Sequence, residues 1–299
     1  MSESNTHKAG FVSIVGKPNV GKSTLMNAMV GEKLSIITSK AQTTRHRIMG
    51  ILNGEDFQIV YSDTPGIIEP RYELHKSMMR FVNVSLEDAD IILFVTDIYE
   101  QYDEDDVLKK LGKIQHLPIF LLINKIDQAE QEEVEAKILY WKEKLPNVRE
   151  VIPVSALEKF NTEKIFDLIK DNLPVHPPFY SKDDLTDKSE RFFASEIIRE
   201  KIFLNYKKEI PYSTEVVITS FKEDDKIIRI AAEIYVERDS QKGIIIGPEG
   251  KALKKVGTEA RKDMEAFFAK KVFLETFVKV EPDWRSKQNK LDRFGYNSI

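Results

Sequence analysis

The sequence predicts two joined domains: an α/β domain, with a mostly parallel sheet and helices on both faces, and a smaller α+β domain. Three observations predict this. Up to residue 173, short apolar runs alternate with amphipathic stretches, the rhythm of strands joined by right-handed helical crossovers. Short polar signatures follow several of those runs, where the carboxyl ends of parallel strands bind ligands. Then Leu173-Pro-Val-His-Pro-Pro-Phe-Tyr180 breaks the rhythm with three prolines, and a different order of elements follows.

In chain order, Gly10–Val15 reads as a buried strand and Lys22–Val30 as a helix stopped by Gly31. Arg47–Leu52 can pair with Phe57–Tyr61 as a hairpin across Asn53-Gly54, a favoured turn pair. Ile91–Thr96, Ile119–Ile123 and Val151–Val154 are further strands. Helical stretches lie near His75–Glu87, Glu104–Lys113, Gln131–Lys144 and Thr162–Asp171. After the break come a helix (about Glu190–Tyr206), strands at Thr214–Phe221 and Lys226–Val236, a glycine-bounded loop, a basic helix (about Lys251–Ala269) and a strand at Val272–Val280. That order is α-β-β-α-β. The expected boundaries are a flexible N-terminus 1–9, a first domain 10–173, a linker 174–189, a second domain 190–281 and a tail 282–299.

The bulk numbers exclude several classes. A chain of 299 residues with 41% hydrophobic and 31% charged content suits two ordinary cores. No run of 18 apolar residues is present, and Met1–Gly10 lacks the apolar segment of a signal peptide. Zero cysteines rules out disulfides and thiolate metal sites, and is compatible with the cytoplasm. The five histidines form no His-x-x-x-His pair, so a zinc site is not expected. The net charge of −4 is uneven: the C-terminal part from Glu190 onward is mildly basic, which fits a polyanion partner or an ordinary solvated surface equally well.

Residues 16–23 read Gly16-Lys17-Pro18-Asn19-Val20-Gly21-Lys22-Ser23, followed by Thr24. A phosphate needs several N–H donors converging on a small volume. Glycines let the backbone curl to supply them, and the following helix adds its N-terminal dipole. In this reading Lys22 reaches the β and γ phosphates and Ser23 offers its hydroxyl to Mg²⁺. Downstream, Asp63-Thr64-Pro65-Gly66 follows a strand: Asp63 is placed to hold Mg²⁺ and Gly66 to sense the γ phosphate through its amide. Between them, Thr43 and Thr44 both qualify as a further Mg²⁺ ligand; Thr44 is preferred and Thr43 stays open. Asn124-Lys125-Ile126-Asp127 selects the base. The Asp127 carboxylate accepts from N1–H and the 2-amino group of guanine, donors that adenine lacks. Asn124 ties neighbouring loops, Lys125 lays its stem along the base, and Ala156 of Ser155-Ala156-Leu157 offers an amide to the guanine oxygen. GTP or GDP is the expected ligand, and an ATP enzyme is the rival that Asp127 argues against.

Together with Gln42-Thr43-Thr44-Arg45-His46, these motifs resemble the Era family of bacterial GTPases, relatives of TrmE and EngA. The resemblance covers nearly the whole chain, because that family carries a C-terminal KH domain. It implies a phosphate-loop GTPase fold, GTP hydrolysis, binding near the 3′ end of 16S ribosomal RNA, a role in 30S subunit maturation, and loose association with the inner membrane face of a cytoplasmic protein. A monomer is expected, and no DNA partner. Ras-like proteins place a water-orienting glutamine after the glycine of Asp-x-x-Gly; here Ile67 stands there, so intrinsic hydrolysis should be slow. The expected catalytic set is therefore Lys22, Thr44, Gly66 and Asn19. At the position of Asn19, TrmE-type GTPases use an asparagine to ligate a potassium ion; a turn-stabilising role is the alternative. A scaffold that binds GTP with little turnover is the rival function.

In the second domain, Gly247-Pro248-Glu249-Gly250 matches the Gly-x-x-Gly loop with which KH domains clamp single-stranded backbone. Ile246 precedes it, and Lys251, Lys254 and Lys255 follow on the basic helix. Glu249 departs from the more basic loops. The tail mixes Trp284, Phe294 and Tyr296 with basic residues, which suits base stacking and suits packing onto the domain equally.

Overall fold

The computed structural model describes residues 7–101 and 106–296. Its contacts divide the chain into two units. One comprises Met1–Ser35, Thr44–Glu69 and Met78–Asp187; the other comprises Ile36–Thr43, Pro70–Ser77 and Lys188–Ile299.

The first unit alternates strand and helix: β1 (Lys8–Val15), α1 (Lys22–Val30), β2 (Ile48–Asn53), β3 (Phe57–Asp63), α2 (Glu73–Glu87), β4 (Ile91–Asp97), α3 (Asp106–Lys113), β5 (Ile119–Asn124), α4 (Gln131–Lys144), β6 (Glu150–Pro153) and α5 (Thr162–Asn172). The first turn of α2 groups with the second unit. Glu104 and Asp105, where a helix start is predicted, lie outside the described residues, as do residues 1–6 of the predicted flexible N-terminus. Lys8 and Ala9 are already strand.

The strands form one six-stranded sheet in the order β2-β3-β1-β4-β5-β6. Only β2 runs antiparallel, paired with β3 from Ile48↔Asp63 to Asn53↔Gln58; the expected hairpin forms, but it turns at Glu55-Asp56, closed by Gly54 N–H on Phe57 O (2.9 Å), rather than at Asn53-Gly54. Every residue of β4 and β5 is buried, which is why both read as unbroken apolar runs rather than alternating ones. One face packs Ile92, Phe94, Leu121 and Ile123 against Val82 of α2, Leu111 of α3 and Trp141 of α4. β1, β3, β4 and β5 are mutually parallel, so their carboxyl ends, Val15, Asp63, Asp97 and Asn124, share one edge.

The proline-rich segment after α5 is tied to this unit by hydrogen bonds. The Gln58 carboxamide accepts from the backbone N–H of Phe179 (2.7 Å) and Tyr180 (3.0 Å), and Ile51 N–H donates to Leu185 O (2.8 Å).

The second unit contains α6 (Glu190–Asn205), α7 (Ile210–Ser213), β7 (Glu215–Glu223), β8 (Ile227–Val236), α8 (Asp239–Ile246), α9 (Lys251–Phe267), β9 (Lys271–Val280) and α10 (Gln288–Arg293). β7 pairs antiparallel with β8, and β8 parallel with β9. Ile198 and Ile202 of α6, Val256 and Ala260 of α9, and Ile230 and Ile234 of β8 share one buried core.

One sequence expectation changes here, and for the tail one of the two open readings gains support. From α6 to β9 the order is α-α-β-β-α-α-β, not α-β-β-α-β, because Ile210–Ser213 and Asp239–Ile246 are helices. Gln241 starts the second of these by accepting from Glu237 and Arg238 N–H (3.0 and 3.2 Å), and its last turn closes with Gly247 N–H on Gly243 O (2.9 Å). The tail aromatics are packing residues. Trp284 is fully buried and its indole N–H donates to Ser213 O (3.0 Å); the buried Tyr296 hydroxyl donates to Glu215 (2.7 Å). Among the described residues, no helix is long and apolar enough to cross a membrane.

Candidate functional site

Three loops converge at the strand-end edge of the first unit. The phosphate loop leaves β1 and enters α1 through Gly21, whose left-handed backbone (φ 98°) replaces a side-chain cap. A Cβ at Gly21 would fall 2.1 Å from Asn124 Nδ2, so the glycine also makes room for the base loop. Asn124 holds the two loops together by donating to Val20 O (2.7 Å) and accepting from Ala156 N–H (3.0 Å). Ala156 N–H, expected to face a guanine oxygen, lies on Asn124 Oδ1 here.

Asp63-Thr64-Pro65-Gly66 folds over the same loop. Ile67 N–H donates to Gly16 O (3.0 Å), Thr64 Oγ1 donates to Ile14 O (2.8 Å), and a Cβ at Gly66 would come 2.7 Å from Pro18. Lys22 is buried and donates to Gly16 O (3.0 Å) and Lys17 O (2.7 Å). Burial lowers its ammonium pKa to about 8, against the raising effect of Asp63 and Glu100. Burial likewise raises the Asp63 carboxyl, against the hydrogen bond from Ser23 and the charge of Lys22. Both groups are thus pushed toward neutrality, as expected where a polyphosphate and a cation are to supply the missing charges.

Ser23 Oγ donates to Asp63 Oδ2 (2.6 Å) and lies 2.9 Å from Thr44 Oγ1. Asp63 Oδ1 is buried without a partner in hydrogen-bond geometry. Three hard oxygens and one orphaned carboxylate oxygen form a donor set that fits Mg²⁺. The two threonine hydroxyls have different partners. Thr44 joins Ser23, whereas Thr43 Oγ1 pairs with Thr38 Oγ1 (2.6 Å) and Lys40 O (2.6 Å).

In the base loop, exposed Asp127 accepts from Ser155 Oγ (2.6 Å), which orients its carboxylate. Lys125 takes a left-handed backbone (φ 64°) and its ammonium pairs with Asp97 (2.7 Å). Leu157 is largely exposed. Asp97 is absent from the motif-based set. Its signal was its position at the carboxyl end of β4, the edge where such sheets bind ligands.

In the second unit, the loop joining α8 to α9 holds Gly247 (φ 68°), Glu249 (φ 53°) and Gly250 (φ 73°) in positive-φ conformations. Gly247 is sterically required, since a Cβ there would meet Ala252 Cβ at 2.6 Å, whereas space beside Gly250 is open. Pro248, Lys251, Lys254 and Lys255 are exposed, and Ile246 packs on the core. Glu249 pairs with Lys251 (2.7 Å), both side chains in solvent.

A family model described as 50S ribosome-binding GTPase matches residues 11–125, and a KH domain model matches residues 209–285. GTPase Era of Staphylococcus haemolyticus is 44% identical over 292 residues, 97% of each chain. GTPase Era of Syntrophus aciditrophicus is 46% identical, over 97% of this chain and 95% of its own. The chain belongs to the Era family of GTPases. Two solved Era structures superpose on it at 40% identity, over 97% of this chain and 99% of theirs. One is Era in complex with MgGDPNP and nucleotides 1506–1542 of 16S ribosomal RNA (TM-score 0.93). The other is an Aquifex aeolicus Era variant bound to GDP and tetrafluoroaluminate (TM-score 0.92). This Era-family chain is therefore a GTPase with a phosphate-loop α/β domain and a C-terminal KH domain.

Proposed function

We propose that this chain is a GTP-driven switch that binds small-subunit ribosomal RNA through its KH domain and assists maturation of the 30S subunit. The observation that supports it most is the end-to-end likeness to an Era structure that holds both MgGDPNP and the 16S RNA segment. In this reading the phosphate loop, residues 16–24, cradles the phosphates, with Lys22 on the β and γ oxygens. Ser23, Thr44 and Asp63 hold Mg²⁺, which when bound supplies charge neutralisation between the β and γ phosphates. The Gly66 amide senses the γ phosphate, and Asp127 reads guanine. Ile67 contributes no proton acceptor; its side chain packs beside the core shared by α2, β4 and α4. Asn19 is proposed to ligate potassium. Gly247–Gly250, with Ile246 and with Lys251, Lys254 and Lys255 of α9, take the RNA backbone. We extend the reading to a cytoplasmic monomer with loose attachment to the inner membrane face, which cell fractionation and sedimentation test.

Crosslinking in cells followed by sequencing of the bound RNA tests the partner. Reads concentrated near the 3′ end of 16S RNA are expected; reads spread over messenger or large-subunit RNA would overturn it. Ile67 also favours one second reading, a scaffold that binds GTP with little turnover. Single-turnover hydrolysis with and without RNA separates the two, because only a switch turns over appreciably when RNA is bound.

A further inference from the structure

The short turn that follows β4, Asp97–Gln101, spans from the base loop to the phosphate loop. Asp97, almost fully buried, serves both ends. Its Oδ1 accepts from the backbone N–H of Tyr99 (3.0 Å) and Glu100 (2.9 Å), fixing the turn, while its Oδ2 accepts from Lys125 Nζ (2.7 Å). Tyr99 OH donates to Gln128 O (3.1 Å), just past the Asn124–Asp127 motif. At the other end, Lys17 of the phosphate loop pairs with Glu100 (3.5 Å) and approaches Gln101 O (3.5 Å). Lys137 of α4 donates to Glu100 O, anchoring the turn to the domain.

We propose that Asp97 is a positioning residue for nucleotide retention: through Lys125, and through the turn it organises, it sets how fast GDP leaves. This rests on the reading of residues 124–127 as the base site. A lysine stem lying on the flat face of a base needs its ammonium held at the rim. Asp97 supplies that hold with a charge-assisted hydrogen bond in a largely desolvated place. Removing one partner of such a pair acts mainly on the dissociation rate. The stem meets the face of the ring and not its hydrogen-bonding edge. Losing its support therefore weakens guanine and hypoxanthine nucleotides alike, whereas loss of Asp127 alters their ratio, because hypoxanthine lacks the 2-amino group.

The test is release of fluorescent GDP from the full chain by stopped flow, with GDP and IDP affinities measured alongside. Asp97→Asn keeps an oxygen for the two turn amides and removes the charge facing Lys125. Release is expected to quicken about tenfold, with the GDP-to-IDP affinity ratio unchanged. In a double-mutant cycle, adding Asp97→Asn to Lys125→Met should give no further acceleration. An unchanged release rate, or additive effects in the cycle, overturns the proposal. So does a changed GDP-to-IDP ratio, which would mean that the whole base loop had collapsed onto altered Asp127 geometry. Asp127→Asn tested in parallel separates the levels. If it leaves GDP affinity intact, the base-site reading fails; if it weakens GDP while Asp97→Asn does nothing, only this proposal fails.

Discussion

The phosphate loop and the Gly247–Gly250 loop are the same local device put to opposite uses. Each ends in a left-handed glycine that opens a helix, Gly21 before α1 and Gly250 before α9, and neither helix has a side-chain cap. Both leave backbone N–H groups at a positive helix end, which suits phosphate. Around Gly21 the space is taken by Asn124, and the adjoining Lys22 is buried. A Cβ built at Gly250 would meet nothing within 4 Å, and Lys251 stands in solvent. An enclosed loop with a second loop closing over it recognises one discrete ligand. An open loop on a basic helix takes any length of backbone passing across it.

The largest effect tests the enclosed half. Asp127→Asn should lower GTP affinity on the order of 10²- to 10³-fold, since a buried guanine edge loses its charged acceptor. It should raise affinity for xanthosine nucleotides, whose ring carbonyl accepts from the new amide. Calorimetric titration with both nucleotides measures it. Unchanged GTP affinity would remove residues 124–127 from base recognition.

Enclosure also predicts a pH dependence that an open loop lacks. Without nucleotide, Lys22 titrates near 8 because burial depresses it. Bound phosphates raise that pKa, so above about pH 8 binding must take up a proton. Affinity should then fall with rising pH, by up to about tenfold per unit, and stay flat below 8. Calorimetry in buffers of different ionisation enthalpy would detect the proton, and Lys22→Met should abolish it. No uptake at pH 9 would mean that the ammonium stays charged in the free protein.

The open half is tested at Gly250. Asparagine and aspartate both tolerate left-handed backbone better than most residues, and the space is free. Gly250→Asn should therefore keep RNA affinity within about threefold, while Gly250→Asp should lower it roughly tenfold by repelling phosphate. Filter binding compares the two. Equal affinities for both variants and the parent would reduce the loop to a plain turn.

The fold class was legible because the buried strands are unbroken apolar runs and three of the helices between them, α2, α3 and α5, are amphipathic, so period and spacing both pointed one way. Helix α8 was not legible: Gly243 and three consecutive isoleucines are poor helix formers, and only the Gln241 cap and burial of Ile245 make that segment helical. In the site, motif spacing drew attention to the right loops but was silent on anything requiring three dimensions. Thr43 and Thr44 are adjacent in sequence, and their different hydrogen-bond partners, Ser23 for Thr44 and Thr38 for Thr43, appear only in three dimensions. Asp97 carries no motif, and its pairing with Lys125 joins two strand ends that sit side by side in the sheet. The tail resisted for a different reason. Aromatic and basic residues serve stacking or packing with the same composition, and burial of Trp284 and Tyr296 favours packing.

The smallest expected effect concerns what the enclosed loop still lacks. Charge builds between the β and γ phosphates during hydrolysis, and something fixed must meet it. Lys22 provides one cation, but Ile67 offers no polar group. Asn19 sits in the loop with a left-handed backbone (φ 66°), a conformation asparagine adopts more readily than most residues. That conformation suits a turn-stabilising role, and it equally suits presentation of a side-chain carbonyl, a hard oxygen, to a monovalent cation. Steady-state hydrolysis in potassium and in sodium at matched ionic strength distinguishes these. The ligand role predicts roughly three- to tenfold faster turnover in potassium, with the preference lost in Asn19→Ala. Equal rates in both salts would leave Asn19 as a turn residue. A preference that survives Asn19→Ala would put the ion on other oxygens of the loop, and enclosure alone, not Asn19, would then account for its binding.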